Sequence, residues 1–168
     1  MTGLMTRMLT ALGLSLFMVA THAERTCNEV VVATAPDSRF RDNGNGTVTD
    51  RETGLIWKQC AEGLSGTGCA TGSAETFSWQ AALLRAADSD QWRLPNKNEL
   101  ASLVERRCYD PAINEDFFPN TPSNWFWSSS PYASNSYSAW HVNFVHGGVD
   151  YGSKYGGERV RLIMRAEQ

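Results

Sequence analysis

Four cysteines, Cys27, Cys60, Cys69 and Cys108, are the residues with the most restrictive chemistry in this sequence. Neither their spacing nor a nearby histidine supports a zinc site. In an exported chain an even number of cysteines predicts two disulfides, and sequence alone permits three pairings of four cysteines. Cys60 and Cys69 flank a glycine-rich loop and form the natural local pair. Cys27 is then left to tie the N-terminal tail to Cys108, which in the chain-entropy model is worth about 4 kcal/mol or more.

Histidine and serine, the usual residues of hydrolytic catalysis, do not form a recognisable nucleophile site. Beyond position 23 the only histidines are His141, in a β-prone stretch, and His146, at a turn. No Gly-x-Ser-x-Gly elbow occurs, although serines and Asp150 are available by chance. We therefore expect no catalytic residue, no cofactor and no enzymatic activity.

The stretch from Asp42 to Asp50 alternates Asp and Asn with Gly and so suggests a calcium site. An EF-hand loop needs oxygen ligands at its first, third and fifth positions. With Asp42 in the first position, the third and fifth are glycines, so the register fails. The run 42–46 instead predicts a tight turn that tolerates positive φ, and we expect no metal site.

The segment from Ser128 to Tyr155 is dense in Ser, Asn, Gly and Tyr. Antibody-type binding loops have this composition, because rigid aromatic rings supply contact area and small polar residues adapt their hydrogen bonds. Trp127 and Trp140 lie in alternating strands and are predicted to fill the core instead. The candidate ligand-binding residues are Tyr132, Asn135, Tyr137, Tyr151, Lys154, Tyr155 and Arg159.

A final strand is predicted over 160–165, with Val, Leu and Met on one side and Arg on the other. We expect Arg161 in this strand to make a structural ion pair. Arg159 and Lys154 lie nearer the loops and are the better candidates for contacting an anionic ligand.

The first 23 residues read as a signal peptide. Arg7 precedes an apolar run, 8–20, and the run ends before Thr21-His22-Ala23, which places small residues where a signal peptidase cuts. The run is too short to span a bilayer, which takes about 20 residues, so we expect cleavage near Ala23. The product would be soluble and secreted or periplasmic, with no membrane span in the mature chain.

Charge argues against one class of partner. Residues 24–168 carry 14 basic and 18 acidic side chains once the single basic residue of the leader is removed. A nucleic-acid-binding protein would normally present a basic face, so we expect no nucleic-acid partner.

The remaining elements follow from local patterns. Residues 40–57 predict a three-stranded meander, and valines 30–32 predict an edge strand. Ser78 is expected to cap a helix that runs to about Ala87, with Phe77, Ala81 and Leu84 on its buried stripe. Trp92 to Pro95 reads as extended. Asn96 is expected to cap a second helix with Glu99 as its capping-box partner, and that helix would bury Leu100, Leu103 and Val104.

Five motifs resemble one known family when they are taken in order. They are FRDNGNGTVTDRETGLIW at 40–57, WRLPNKNEL at 92–100, FWSSSPY at 126–132, AWHVNF at 139–144 and VRLIMR at 160–165. Together they resemble the C-terminal domain of the Legionella collagen-like adhesin, the Lcl-type domain. The chain would then divide into a signal peptide (1–23), a tail tethered by a disulfide (24–37) and an Lcl-type domain (38–168).

The resemblance implies a fold shared with C-type lectins and formylglycine-generating enzymes. That fold is of the α+β class, with two helices packed on a small twisted antiparallel sheet and long C-terminal loops. The reactive cysteine pair of the enzymes is missing, because no cysteine follows Cys108. The calcium-binding Glu-Pro-Asn and Trp-Asn-Asp motifs of sugar-binding C-type lectins are missing too.

The resemblance therefore implies a secreted, non-enzymatic recognition module. It would bind a glycan, including a sulfated one, or a protein through its C-terminal loops and without calcium. An envelope-associated structural protein that docks on a partner is the alternative, and a hydrolytic or redox enzyme is third.

Overall fold

A computed structural model describes residues 25–164 of the chain. The predicted signal peptide and Arg165 lie outside the described residues. The twelve strands are, in chain order, β1 (Thr26–Cys27), β2 (Phe40–Asp42), β3 (Thr47–Asp50), β4 (Ile56–Lys58), β5 (Leu64–Ser65), β6 (Thr71–Gly72), β7 (Trp92–Arg93), β8 (Cys108–Tyr109), β9 (Trp125–Pro131), β10 (Ser138–Asn143), β11 (Val149–Ser153) and β12 (Ile163–Met164). Two helices, α1 (Trp79–Ala87) and α2 (Lys97–Ser102), make the fold α+β, as predicted.

A five-stranded antiparallel sheet has the order β2-β3-β4-β12-β7. Its first three strands form the predicted meander, with Val48 paired to Trp57. The turn over 42–46 is held by its own side chains, since Asn43 donates to the Thr47 hydroxyl and accepts from Thr49. The last strand returns from the C-terminus and places Ile163 opposite both Trp57 and Arg93.

A three-stranded antiparallel sheet, β11-β10-β9, carries the segment predicted to bind ligands. His141 pairs with Trp127 on one side and with Asp150 on the other. The β9–β10 register shifts between Ala139 and His141, where β9 has extra residues. Such a bulge increases local twist and changes the direction of the strand end.

Both helices begin where the sequence predicts. The Ser78 hydroxyl accepts from the Ala81 amide at the start of α1. At α2 the Asn96 side chain accepts from the amide of Glu99 at 2.9 Å, and the Glu99 carboxylate accepts from the Asn96 amide at 2.7 Å. The predicted capping box is therefore confirmed.

Two hydrophobic clusters fill the two faces of the three-stranded sheet. The larger cluster joins α2 to both sheets through Leu100, Val142 and Trp57, all fully buried. The second cluster packs α1 against Trp127 and the C-terminal segment, including Leu162. The predicted burial of the α2 stripe is confirmed, with Leu100, Leu103 and Val104 at most 2% exposed.

Both predicted disulfides are present, Cys27–Cys108 and Cys60–Cys69. The first joins the two-stranded sheet β1–β8, and the second closes the hairpin β5–β6. The N-terminal tail is thereby tethered to the segment that follows α2.

Three local predictions are wrong: the strand at valines 30–32, the buried stripe of α1 and the extent of the strand over 160–165. Valines 30–32 form no strand, because β1 ends at Cys27 and no described strand lies beside them; Val30 and Val32 are 92% and 86% exposed. In α1 the buried residues are Ala82 and Ala86, whereas Leu84 is 60% exposed. The predicted stripe is therefore out of phase with the face that α1 packs against the sheet.

The predicted strand 160–165 is shorter than expected and does not alternate. Val160, Arg161, Leu162 and Ile163 are all buried, and β12 comprises only Ile163 and Met164. The chain here passes between the two sheets, so side chains in both directions are covered. No helix among residues 25–164 is long and apolar enough to cross a membrane.

Candidate functional site

The three-stranded sheet presents Trp140 and Tyr151 side by side, as a direct cross-strand pair of β10 and β11. Residues two apart in a strand share a face, so Trp140 points to the same side as Val142, which is buried in the α2 cluster. That helix begins at Lys97. Trp140 therefore lies near the N-terminal end of α2, on the part of the sheet face that the helix does not cover.

Three aromatic rings and one lysine meet at this uncovered end, and we call them the aromatic surface: Tyr132, Trp140, Tyr151 and Lys97. The rings of Tyr132 and Tyr151 stack with centroids 3.9 Å apart and planes within 4°. Trp140 meets both edge-on, at 5.3 and 6.0 Å. Tyr151 is 46% exposed and the other two rings are half-buried, so solvent reaches the cluster.

Lys97 places a cation on this surface. Its Nζ lies 4.3 Å from the centre of the Trp140 ring, within the range of a cation–π interaction. The capping box fixes the backbone at the start of α2, and the Lys97 amide donates to the Ser130 hydroxyl at 3.0 Å. Arg93 and the amide of Asn96 hold the pKa of the Glu99 carboxyl below its usual range, so this carboxylate stays charged to a lower pH than an ordinary glutamate does.

The turn between β9 and β10 carries Asn135 and Tyr137. The Asn135 side chain accepts from the Tyr137 amide at 2.9 Å. The Tyr137 ring is 66% exposed. Across from this turn, Tyr155 is 79% exposed. The two tyrosines extend from neighbouring loops, because the Lys154 amide donates to the Tyr137 carbonyl.

Lys154 connects those loops to α1. Its Nζ donates to the Ser136 carbonyl at 2.7 Å and lies 4.3 Å from the centre of the Trp79 ring. Arg159 is likewise engaged, since its guanidinium donates to the Ala74 carbonyl. The structure thus gives both predicted cationic candidates intramolecular contacts, whereas Tyr137 and Tyr155 extend into solvent.

The prediction that Trp127 is a core residue is confirmed. It is fully buried, and its indole N–H donates to the Phe77 carbonyl at 2.8 Å. The same prediction for Trp140 is wrong, because α2 does not extend far enough to cover it. Sequence reasoning missed Lys97 and Trp140 as candidate site residues. Alternation gave the face of Trp140 correctly but carried no information about where the covering helix starts.

The expected ion pair of Arg161 is absent among the described residues. Arg161 is fully buried and donates to the carbonyls of Lys58 and Gln59 and, at 2.7 Å, to the Thr121 hydroxyl. Burial lowers its pKa to about 9, partly offset by the charge of Glu62. Arg161 is therefore structural, as expected, but is held by neutral acceptors.

A buried histidine–carboxylate pair lies beneath the three-stranded sheet. Nδ1 of His141 is 2.8 Å from Oε1 of Glu158, and the side chains are 8% and 13% exposed. The imidazole stacks on Trp125 at 3.9 Å and on Trp127 at 5.6 Å. A Cβ on Gly152 would lie 2.7 Å from the ring, so only glycine fits above it.

This pair has the residue types of general acid–base catalysis, but such catalysis also needs a substrate within hydrogen-bond reach. The fold has a cavity of about 510 Å³ beside β4 and another of about 420 Å³ beside the Cys60–Cys69 hairpin. Neither cavity is lined by His141 or Glu158. The pair instead ties β10 to the chain that follows the Tyr155 loop.

Metal ligands are not assembled in the part of the chain that the structure describes, where no group of three or more His, Cys, Asp or Glu side chains could hold an ion. Asp50, at the end of the Asp42–Asp50 stretch, is occupied by an internal bond to Arg39 at 2.5 Å. Burial raises the pKa of Asp50, but its bonds to Arg39 and Thr53 outweigh burial and hold that pKa below the usual range.

Comparison with known proteins gives one match. The family model described as the Lcl C-terminal domain matches residues 46–164, a span that includes the aromatic surface, the His141–Glu158 pair and every residue that lines the two cavities except Asn45. No curated protein and no solved structure matches the chain.

Proposed function

The chain belongs to the Lcl C-terminal domain family, and from that premise we propose that it is a secreted, non-enzymatic recognition module that binds a glycan through the aromatic surface and the adjoining Tyr137 and Tyr155 loops. Its family points to an adhesin-like recognition role. The observation that carries the ligand-binding part is the half-exposed cluster of Tyr132, Trp140 and Tyr151 with Lys97 above one ring.

Stacked aromatic rings that remain open to solvent suit a sugar, because the C–H face of a pyranose packs on a ring while its hydroxyls remain hydrated. The rings are held rigidly by one another and by the sheet, so little side-chain entropy is lost on binding. Lys97 adds a positive charge beside the platform. That charge favours acidic glycans, sulfated ones among them, over neutral glycans of the same shape.

We propose that binding needs no calcium. The aromatic surface contains no carboxylate, and a calcium-bridged sugar site would require several oxygen ligands around one ion. We also propose that the module has no catalytic activity, and in support the His141–Glu158 pair lines neither of the two cavities described above.

A glycan array tests the proposal directly. Residues 24–168 are applied to sulfated, uronate-containing and neutral glycans, with and without EDTA. We expect retention on one glycan class at equal strength in both conditions. Binding abolished by EDTA, or no retention on any glycan, would contradict the proposal.

Single substitutions then locate the site. Tyr137→Ala and Tyr155→Ala remove exposed rings and should leave unfolding midpoints nearly unchanged. Tyr151→Ala also removes ring contacts with Tyr132 and Trp140 and should cost about 1 kcal/mol of stability. Loss of a well-used aromatic contact costs about 2 kcal/mol, roughly thirtyfold in affinity. Tyr109→Ala is the matched control, because Tyr109 is 55% exposed but belongs to β8 rather than to the three-stranded sheet. If Tyr109→Ala weakens binding as much as Tyr151→Ala, the aromatic surface is not the site.

Docking onto an envelope partner is the second candidate function, and the exposed valines favour it. Val30 and Val32 are 92% and 86% exposed in a loop held at one end by the Cys27–Cys108 disulfide. At its other end, the amides of Thr34 and Ala35 donate to Glu105. Contiguous exposed apolar patches mark contact sites, and valines 30–32 place three exposed apolar side chains in one segment. A Val30→Ser, Val32→Ser variant should lose co-sedimentation with isolated cell envelopes and keep its glycan profile if docking and recognition are separate.

The same proposal covers the fold type and the export of the protein. We propose that the fold is C-type-lectin-like, on the support of two helices packed against small antiparallel sheets with long C-terminal loops. We also propose export with cleavage near Ala23, supported by two disulfides of the kind that persist in oxidising compartments. N-terminal sequencing of the protein recovered from its native host checks the cleavage site.

A further inference from the structure

A cavity of about 510 Å³ lies on the five-stranded sheet, on elements separate from the aromatic surface. Its walls come from the β2–β3 turn at Asn45, from β4 at Lys58, from the β5 hairpin at Ser65 and from α1 at Arg85. Small-molecule sites typically measure about 300–1,000 Å³ and are largely preformed. The size of this cavity is therefore that of a ligand site.

The floor of the cavity is a fixed ionic network. The Glu62 carboxylate, 3% exposed, accepts from Lys58 Nζ and from Arg85 Nε, each at 2.8 Å. The two cations remain 29% and 45% exposed. Each uses only part of its hydrogen-bonding capacity in these contacts, because a lysine has three N–H donors and an arginine five. Arg85 also donates through Nη1 to the Asp88 carboxylate at 3.2 Å. One buried carboxylate thus positions two cations, and each cation still has donors to spare.

The hairpin that forms one wall adds little to the core. Of residues 63–76 only Cys69 is buried, although the segment carries a disulfide and a two-stranded sheet. A Cβ on Gly72 would collide with the Gly63 carbonyl oxygen, and a Cβ on Gly63 would collide with the Ser73 carbonyl oxygen. A rigid loop that buries almost nothing is more often built for binding than for stability.

The chemistry of the lining identifies the class of ligand. Two cations, Lys58 and Arg85, are balanced by two carboxylates, Glu62 and Glu75, so a fully charged ligand gains little net attraction. Donors and acceptors stand together beside the half-buried indole of Trp92, and Lys58 Nζ lies 5.2 Å from the centre of that ring. A molecule with hydroxyl groups that both donate and accept, and with one apolar face, matches this lining.

We propose that this cavity is a second binding site, for a single neutral sugar residue such as the terminal unit of a glycan chain. The sugar would lie against Trp92 and exchange hydrogen bonds with Lys58, Arg85 and Glu75. The site is independent of the aromatic surface, so either one can exist without the other.

The test measures saturation-transfer NMR on the exported chain with the methyl glycosides of glucose, galactose, mannose and N-acetylglucosamine as probes. A ligand of this size with ordinary efficiency has a Kd on the order of 1 mM. We expect at least one probe to give a saturable signal in that range. No signal from any of the four would overturn the proposal.

Two variants assign the signal to the cavity. Arg85→Gln removes spare donors while Lys58 still neutralises Glu62, and it should weaken binding about tenfold. Because it also breaks the Arg85 bonds to Glu62 and Asp88, its urea midpoint should fall, so binding is compared without urea after circular dichroism shows that the variant is folded. Ser65→Trp should block the cavity from an exposed position without touching the network. Its matched control is Ser73→Trp, because Ser73 is exposed in the same hairpin but does not line the cavity.

Tyr151→Ala separates this proposal from glycan recognition at the aromatic surface and should leave the glycoside signal intact. If Tyr151→Ala removes the signal, or if Ser65→Trp and Arg85→Gln both preserve it, the cavity is not the site. A cavity that binds glycosides while the glycan array stays blank would support the second site and reject the first.

Discussion

Replacing Trp127 or Trp140 with alanine should separate the core from the aromatic surface, although the two residues lie on neighbouring strands. Trp127 is fully buried among residues of α1 and the C-terminal segment, and its N–H is bonded to the Phe77 carbonyl. Large-to-small changes at buried tryptophans cost about 3–5 kcal/mol. The Phe77 carbonyl keeps its bond from the Glu158 amide at 3.0 Å, so it is not left without a donor, and Trp127→Ala should cost about 3–5 kcal/mol.

Trp140→Ala removes a different set of contacts. The ring is half-buried and touches Tyr132 and Tyr151 edge-on, with the Lys97 ammonium over its face. Aromatic pairs contribute about 0.5–1.5 kcal/mol and an exposed cation–π contact about 0.5–1 kcal/mol. Solvent already reaches this cluster, so the total cost should be about 1–2 kcal/mol.

Urea unfolding followed by far-ultraviolet circular dichroism is the appropriate assay, because tryptophan fluorescence would change with the substitution itself. With a slope of about 1.5 kcal/mol/M, the midpoint should fall by about 3 M for Trp127→Ala and about 1 M for Trp140→Ala. The disulfides are kept oxidised throughout. Trp127→Phe, expected to cost about 2 kcal/mol, provides a measurement if the alanine variant does not fold.

The outcome that contradicts this reasoning is a pair of equal midpoint shifts. Equal large shifts would mean that Trp140 is as buried in solution as Trp127, and the aromatic surface would then be part of the core. Equal small shifts would mean that the α1 cluster around Trp127 contributes less than its burial implies. Only an unequal pair agrees with a helix that begins at Lys97 and leaves Trp140 uncovered.

Three further results are expected. Asn96→Ala should cost about 1 kcal/mol through the lost helix cap. Lys97→Ala should cost only about 0.5 kcal/mol, through its exposed contact with the Trp140 ring. Equal urea midpoints for the two variants would refute the capping-box reasoning. The free energy of unfolding should fall as the pH drops below about 4, because folding lowers the pKa of three carboxyls and the unfolded chain then binds protons more readily than the folded one. Those three are Asp50, Glu99 and Glu105. A free energy of unfolding that stays constant below that pH would contradict this. EDTA should leave the melting temperature unchanged, and a drop of several degrees would reveal a structural ion.

Local signals predicted the parts of the fold that local interactions determine. A helix cap and its capping box involve residues three apart, so Asn96 and Glu99 identify the start of α2 without any knowledge of the rest. The same holds for the Asn-Gly turn of the β2–β3 hairpin and for the short loop between Cys60 and Cys69.

The missed features depend on contacts between distant parts of the chain. The phase of α1 is set by the face it packs against Trp127, about 45 residues away in sequence, so propensity alone misplaced its buried stripe. Arg161 alternates like an exposed residue, but its segment lies between two sheets where both directions are covered. Its partners are the carbonyls of β4 and the Thr121 hydroxyl, which no pattern around residue 161 reveals.

The buried His141–Glu158 pair anchors β10 independently of the aromatic surface, so that surface can change without loss of the fold. Trp140 and His141 are adjacent in β10 but point to opposite sides, so one strand carries a surface ring and a buried polar anchor. The anchor joins β10 to the chain that follows Tyr155, and Gly152 leaves room for the imidazole. Substitutions at Tyr132, Tyr151 or Trp140 leave that anchor in place, because none of them touches it. The aromatic surface can therefore change its ligand while the sheet that carries it stays intact.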